Sequence, residues 1–233
     1  MGCSAWHPAG FRYETYYQDV WVRGEAIIKG GRECELRFWA IYEALKETKK
    51  PLKVLDIGAN MGYFSLRLSE KLPGTYVMIE GQESTAQALL KVCKLNNNPS
   101  IVLFKRKLCL QDLKDLRAVE KFDVVMALSI IHHFEEPYQE VFETLMTLGH
   151  KLVFEPPIAE EHTLNQERIV NEPLDLSRVK KKLLIKVPTG SRYAGNMLRP
   201  TYLIDCISDA SYATVQGVSQ GTCRLMNGVY PPL

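Results

Sequence analysis

Val54-Leu55-Asp56-Ile57-Gly58-Ala59-Asn60-Met61-Gly62-Tyr63-Phe64-Ser65 reads as three things in succession. A short apolar run carries a carboxylate, two glycines stand four apart, and an amphipathic stretch follows. That is a first strand, a tight turn and a helix start. Doubly wound α/β domains hold a nucleoside-bearing ligand at such a place.

Working outward, apolar runs and helical periods alternate. Strands are expected at Lys53–Ile57, Thr75–Glu80, Ile101–Phe104, Phe122–Leu128 and Lys151–Phe154. Helices are expected at Met61–Leu72, stopped by Pro73-Gly74, at Ser84–Leu95, near Gln111–Ala118, and at Tyr138–Leu148. Phe122–Leu128 is apolar almost throughout, the pattern of a strand covered on both faces. Beyond a helical stretch around His162–Lys182, Leu183–Val187 and Pro200–Ile204 read as an antiparallel pair at the sheet edge, joined through Pro188-Thr189-Gly190-Ser191. The fold class is therefore α/β, Rossmann-like and doubly wound, with a mostly parallel seven-stranded sheet and an antiparallel edge strand.

Before the core, residues 1–30 are aromatic and glycine-punctuated without a clear period, which suits a lid. Glu33–Lys46 has helical spacing through Leu36, Trp39, Ala40, Tyr42 and Leu45. The division expected is 1–50 for the extension, lid and helix, 51–206 for the core, and 207–233 for a C-terminal tail.

Composition narrows the class. The 233 residues are 46% hydrophobic and 24% charged, which allows one sizeable core under a charged surface. A net charge of +2 is too small to imply polyanion binding. Cys3, Cys34, Cys93, Cys109, Cys206 and Cys223 form no CxxC pair, so reduced thiols and a cytoplasmic setting are expected. No apolar run approaches the ~20 residues of a membrane span. The start Met1-Gly2-Cys3-Ser4-Ala5-Trp6 has Trp6 where a myristoylation signal wants Ser or Thr.

The choice of cofactor turns on Asn60. A dinucleotide site wants G-x-G-x-x-G, whose middle glycine admits a pyrophosphate. Here Asn60 interrupts the glycines, and Asp56 stands two before Gly58. A carboxylate there repels phosphate and suits a cationic ligand. Glu80 closes the second strand in Val77-Met78-Ile79-Glu80, where a carboxylate can accept hydrogen bonds from both ribose hydroxyls. On these residues the chain resembles the class I S-adenosylmethionine-dependent methyltransferases. That resemblance implies S-adenosyl-L-methionine as cofactor. It implies contacts from Asp56, Gly58, Ala59, Asn60, Gly62, Tyr63, Phe64, Glu80, Gly81, Gln82, Leu108 and Ser129, with Lys107-Leu108-Cys109 near adenine.

The chemistry is expected after the fourth strand, in Ala127-Leu128-Ser129-Ile130-Ile131-His132-His133-Phe134. Methyl transfer to an alcohol needs a base, and histidine titrates in the useful range. One of His132 and His133 is expected to be base or substrate orienter, and the other to pack beneath the cofactor. Glu155, at the end of the fifth strand, could orient the base, bind substrate hydroxyls or help hold a divalent metal. Glu160, Glu161 and His162 could add ligands, although such a cluster more often starts a solvated helix, so no metal site is assigned.

With Met197-Leu198-Arg199-Pro200-Thr201-Tyr202-Leu203-Ile204, the histidine turn resembles the methyltransferase part of bacterial enzymes that cap O-antigen polysaccharide chains. The likeness runs from about residue 33 to 206. It implies a glycan acceptor, at a sugar hydroxyl or sugar phosphate, and a chain that is one domain of a larger glycan-modifying enzyme. Tyr13, Tyr16, Tyr17, Trp21 and Tyr193 could stack on sugar faces, and Arg192 or Arg199 could meet a phosphate or hydroxyls. Two alternatives remain. One is an RNA methyltransferase using Lys105-Arg106-Lys107 and Lys180-Lys181-Lys182 as phosphate contacts. The other is a non-catalytic S-adenosylmethionine-binding subunit.

Overall fold

The computed structural model describes residues 6–7, 11–12, 16–158, 166–188 and 197–206. Two short strands, β1 (Trp6–His7) and β2 (Phe11–Arg12), pair antiparallel. A hairpin follows, β3 (Val20–Val22) and β4 (Glu25–Ile28), then α1 (Glu35–Leu45). The core then runs β5 (Leu52–Ile57), α2 (Tyr63–Lys71), β6 (Gly74–Glu80), α3 (Glu83–Asn96), β7 (Ile101–Lys105), α4 (Leu110–Val119) and β8 (Phe122–Leu128). A 3-10 turn (Ile131–His133), α5 (Tyr138–Thr147), β9 (Gly149–Glu155), α6 (Gln166–Asn171), β10 (Lys181–Pro188) and β11 (Leu198–Asp205) complete it.

The seven-stranded sheet has the order β10-β11-β9-β8-β5-β6-β7. The five strands from β9 to β7 are parallel, while β11 runs against β9 and β10 against β11. Two reversals cancel, so β11 is the reversed strand and the outermost β10 points with the others. The chain moves one way from β5 through β6 to β7 and the other way to β8 and β9. The crevice beyond the C-terminal ends of β5 and β8 is therefore the topological switch point, where open α/β sheets bind ligands.

Both faces of the sheet are covered. Phe38, Ile41 and Leu45 of α1 and Phe64 and Leu68 of α2 belong to one core; Leu113 of α4, Val141, Phe142 and Leu145 of α5, and Phe154 belong to the other. Buried to 5% exposure, Arg67 carries its guanidinium 4.3 Å from the Trp21 ring and 3.9 Å from Phe38, and it pairs with Glu35. That stack ties the hairpin to α1 and α2.

Two expectations change. The helix around His162–Lys182 is short: α6 ends at Asn171, and β10 begins at Lys181. Pro173 explains the stop, since its ring clashes with a continuing helix and it has no N–H to donate. The aperiodic N-terminal region contains a hairpin. Its turn is Arg23-Gly24, both at positive φ (50° and 89°), and an arginine is an unusual first residue for such a turn. The tail 207–233 lies outside the described residues.

Candidate functional site

At the end of β5 the backbone enters the left-handed region three times, at Gly58 (φ 71°), Asn60 (φ 55°) and Gly62 (φ 71°). Asparagine tolerates this better than most side chains, which accounts for Asn60 between the glycines. The turn folds onto β6: the Gly58 and Ala59 amides both donate to the Ile79 carbonyl, at 2.9 and 3.1 Å. A Cβ on Gly58 would stand 2.4 Å from Cδ1 of Ile130, so this turn and the one after β8 are in direct contact.

Glu80 is 8% exposed at the tip of β6. Its Oε2 accepts from the Asn60 amide at 2.9 Å and its Oε1 from the Gln82 amide at 2.8 Å. Both oxygens are thereby oriented, and a carboxylate has lone pairs to spare for two further donors. Asp56 lies under the turn, 3% exposed, with Oδ2 accepting from the Ser65 hydroxyl at 2.6 Å. Burial pushes its pKa up to about 7, against the pull of the Ser65 bond and with help from Glu80.

Tyr63 and Phe64 open α2 but turn their rings inward, at 0% and 1% exposure. The Tyr63 hydroxyl donates to Glu35 Oε2 at 2.9 Å, and the Arg37 guanidinium sits 5.0 Å from the Phe64 ring. These two residues face the N-terminal layer. On the other side, a Cβ on Gly81 would come within 2.8 Å of the Lys107 Cα, so the loops after β6 and β7 nearly touch. Lys107, Leu108, Cys109, Glu135 and Glu136 line a shallow cavity there, with Gln82 starting α3 nearby in sequence.

The second half of the site follows β8. Ser129 sits at φ 60°, and its amide donates to the Glu155 carbonyl at 3.2 Å. His132 is 8% exposed, while His133 is exposed; their ring centroids are 4.3 Å apart. Burial, with the charges of His133, Arg199 and Arg32, brings the His132 pKa down to about 3, so its imidazole is neutral at ordinary pH. Partial burial lowers the His133 pKa too, with Glu80 pulling it up and Lys107 down.

Glu155 is fully buried beside this turn. Arg32 Nη2 reaches its Oε1 at 2.5 Å, Arg37 Nη1 its Oε2 at 2.8 Å, and Arg199 Nε stands 3.6 Å from Oε1. Arg199 also donates to the Ser129 hydroxyl. Burial alone would raise the Glu155 pKa, but Arg37, Arg32 and Arg199 outweigh it and hold the group below the ordinary glutamate value. Among the described residues no three His, Cys, Asp or Glu side chains gather into a metal-binding group. Glu160, Glu161 and His162 lie outside the described residues, as do Tyr13, Arg192 and Tyr193.

Reasoning from sequence missed Arg32, Arg37 and Gln18. The Gln18 Oε1 accepts from the Tyr63 amide at 3.3 Å, at the start of α2. It arrives on a segment where the Gly31 amide donates to Tyr16 O (2.7 Å) and the Arg32 amide to Tyr17 O (3.1 Å). No local pattern marks these three residues. Trp21, expected to meet sugars, is instead in the core, its Nε1 donating to Glu70 Oε1 at 2.9 Å. Tyr17 is 39% exposed, with the Arg32 guanidinium 5.1 Å from its ring.

The strand order, the reversed β11 and the glycine turn define the Rossmann-like fold of class I methyltransferases. No family model and no curated protein matches the chain. Solved structures do. The bifunctional kinase-methyltransferase WbdD superposes with a TM-score of 0.66 at 22% identity, over 82% of this chain and 44% of that one. The N-terminal domain of EvdMO1, crystallised in the presence of SAH and D-fucose, gives 0.55 at 14% identity, over 84% of this chain and 93% of that one. This chain thus spans less than half the length of the WbdD structures.

Proposed function

We propose that this chain is an S-adenosylmethionine-dependent O-methyltransferase acting on a glycan, at a sugar hydroxyl or a sugar phosphate. The observation that carries the cofactor is Glu80, a buried carboxylate held by the Asn60 and Gln82 amides at the edge of a glycine turn. Two ribose hydroxyls are the donors such a carboxylate takes at this switch point. Asn60 in place of the middle glycine disfavours a pyrophosphate, and Asp56, buried against Ser65, braces the turn from beneath. When bound, S-adenosylmethionine supplies a methyl group already activated as an electrophile.

The chain's own residues do the rest. Gly58 and Gly62 keep the turn free of side chains, and Glu80 fixes the nucleoside. Leu108 and Gln82 flank the adenine side. The turn after β8 then presents the exposed His133 to the acceptor, with His132 buried beneath it. For an alcohol, the His133 imidazole takes the hydroxyl proton as the oxygen bonds to the methyl carbon and the sulfur keeps its electron pair. For a phosphate no base is needed. Glu155 serves by holding Arg32, Arg37 and Arg199 in one arrangement.

Support for methyl transfer comes from WbdD, described as a kinase-methyltransferase, and support for a sugar acceptor from EvdMO1, crystallised in the presence of SAH and D-fucose. The WbdD coverage agrees with this chain being the methyl-transfer part of a longer enzyme. The RNA reading loses ground, because Lys105, Arg106 and Lys107 each pair with a carboxylate, of Glu83, Asp112 and Glu135. The test is incubation with methyl-labelled donor and a panel of monosaccharides, phosphorylated sugars, short glycans and RNA. Label in a sugar or glycan is expected. Label in RNA alone, or none in any acceptor while the donor still binds, overturns the proposal.

A further inference from the structure

The 3-10 turn bearing His132 and His133 is bound from outside by a residue of α6. Arg168, on α6, donates through Nη1 to the Phe134 carbonyl at 2.7 Å and through Nη2 to the Glu136 carbonyl at 2.5 Å. Its guanidinium also lies 4.4 Å from the Tyr138 ring centroid, at the start of α5. Glu172 steadies the other side of the fork, at 3.1 Å from Nε and 3.3 Å from Nη2. The next residue, Ile169, is 5% exposed and belongs to the same core cluster as Ile131, Phe134 and Tyr138. One planar group therefore spans both carbonyls at the exit of the histidine turn.

The turn needs this support. Ser129 enters it at φ 60°, a left-handed conformation that serine rarely adopts, and the Phe134 amide is already used by the Ile131 carbonyl. Without Arg168, the Phe134 and Glu136 carbonyls would lose their charge-assisted partners at the point where the chain straightens toward α5.

We propose that Arg168 is a positioning residue: its fork holds the Ile131–Phe134 turn so that His132 stays buried beneath it and His133 stays aimed at the acceptor. This deepens the proposed methyl transfer and rests on that reading for its kinetic consequence alone. The connection that leaves β9 at Glu155 returns through α6 to grip the histidine turn, so the latch couples the chain beyond Glu155 to the reacting edge. A lysine can keep the ion pair to Glu172 but cannot supply two parallel N–H donors.

The test compares Arg168→Ala and Arg168→Lys with the wild type by labelling histidines with diethyl pyrocarbonate and reading each site by fragment mass spectrometry. In the wild type, exposed His133 should be modified and buried His132 protected. Both variants should expose His132 to modification while calorimetry gives an unchanged affinity for S-adenosylmethionine. With a glycan acceptor, kcat should fall on the order of tenfold or more at unchanged KM for the donor, because small displacements of a catalytic group are costly. Glu172→Gln, which leaves both carbonyl contacts in place, should leave His132 protected. His132 protected equally in Arg168→Ala and wild type overturns the latch. So does a wild-type kcat in the alanine variant. If the wild type methylates no acceptor, the proposed function fails, and the labelling still decides the latch.

Discussion

The two halves of the site are built in opposite ways. The half around the glycine turn is local: Asp56, Gly58, Asn60, Gly62 and Glu80 belong to one βαβ unit, and backbone amides orient the Glu80 carboxylate. The half around Glu155 is assembled from afar. Glu155 meets Arg32 across 123 residues and Arg37 across 118, and Arg199 reaches Ser129 across 70. A local cradle depends on backbone shape, whereas the distant cluster depends on the whole fold being closed around buried charge. The halves touch where Ile130 fills the space above Gly58.

That contrast can be broken most forcefully at Glu155. Replacing it by alanine leaves Arg32, Arg37 and Arg199 without their shared carboxylate. Removing one partner of a buried ion pair costs about 3–5 kcal/mol, so Glu155→Ala should show a large loss in denaturant unfolding. A loss below ~1 kcal/mol would mean the cluster is solvated. Because ionised Glu155 is held below the unfolded value of 4.5, its contribution is present above that pH and disappears as acid protonates it.

Gly58→Ala probes the seam. At φ 71° an alanine carries ~1–2 kcal/mol of strain, and its methyl would meet the Ile130 side chain. Donor affinity measured by calorimetry should fall by roughly tenfold or more. Adding Ile130→Ala should recover part of that loss by making room, and strictly additive losses would show that the two turns are independent.

A pH-dependent effect is expected from Asp56→Asn. The folded pKa of Asp56 is about 7 against 3.8 for the free group, so between these values the folded chain holds a proton that the unfolded chain has released. Stability should therefore decline as pH rises across that window, by at most ~1.4 kcal/mol per pH unit, and flatten above it. The asparagine variant should lose that part of the slope; an unchanged unfolding profile from pH 4 to 7 would contradict the burial argument. The smallest effect belongs to the rim. Lys107 and Glu135 form an exposed pair, and Glu135→Gln should leave thermal unfolding unchanged within error.

The same contrast explains what could be read in the chain. The strand-turn-helix at Val54–Ser65, the acidic end of the second strand and the alternation of elements are short-range patterns, so the seven-stranded sheet and the glycine turn with Glu80 beside it were legible. The hairpin at Val20–Ile28 was not, because Arg23-Gly24 lacks the usual turn signature. The helical stretch expected as far as Lys182 stops at Asn171, where Pro173 ends α6. Arg32 and Arg37 carry no motif, and only the closed fold brings them to Glu155. The sequence placed His132 and His133 together after the central strand Phe122–Leu128, and only burial separates the protected ring from the exposed one.

The most direct test of the donor assignment is a calorimetric titration of S-adenosylmethionine into the wild type and Glu80→Ala. The wild type should bind. The variant, deprived of a charged acceptor for two ribose hydroxyls, should lose about ten- to a hundredfold or more in affinity. A wild type that gives no binding signal, or a Glu80→Ala variant that binds as tightly as the wild type, would contradict the account.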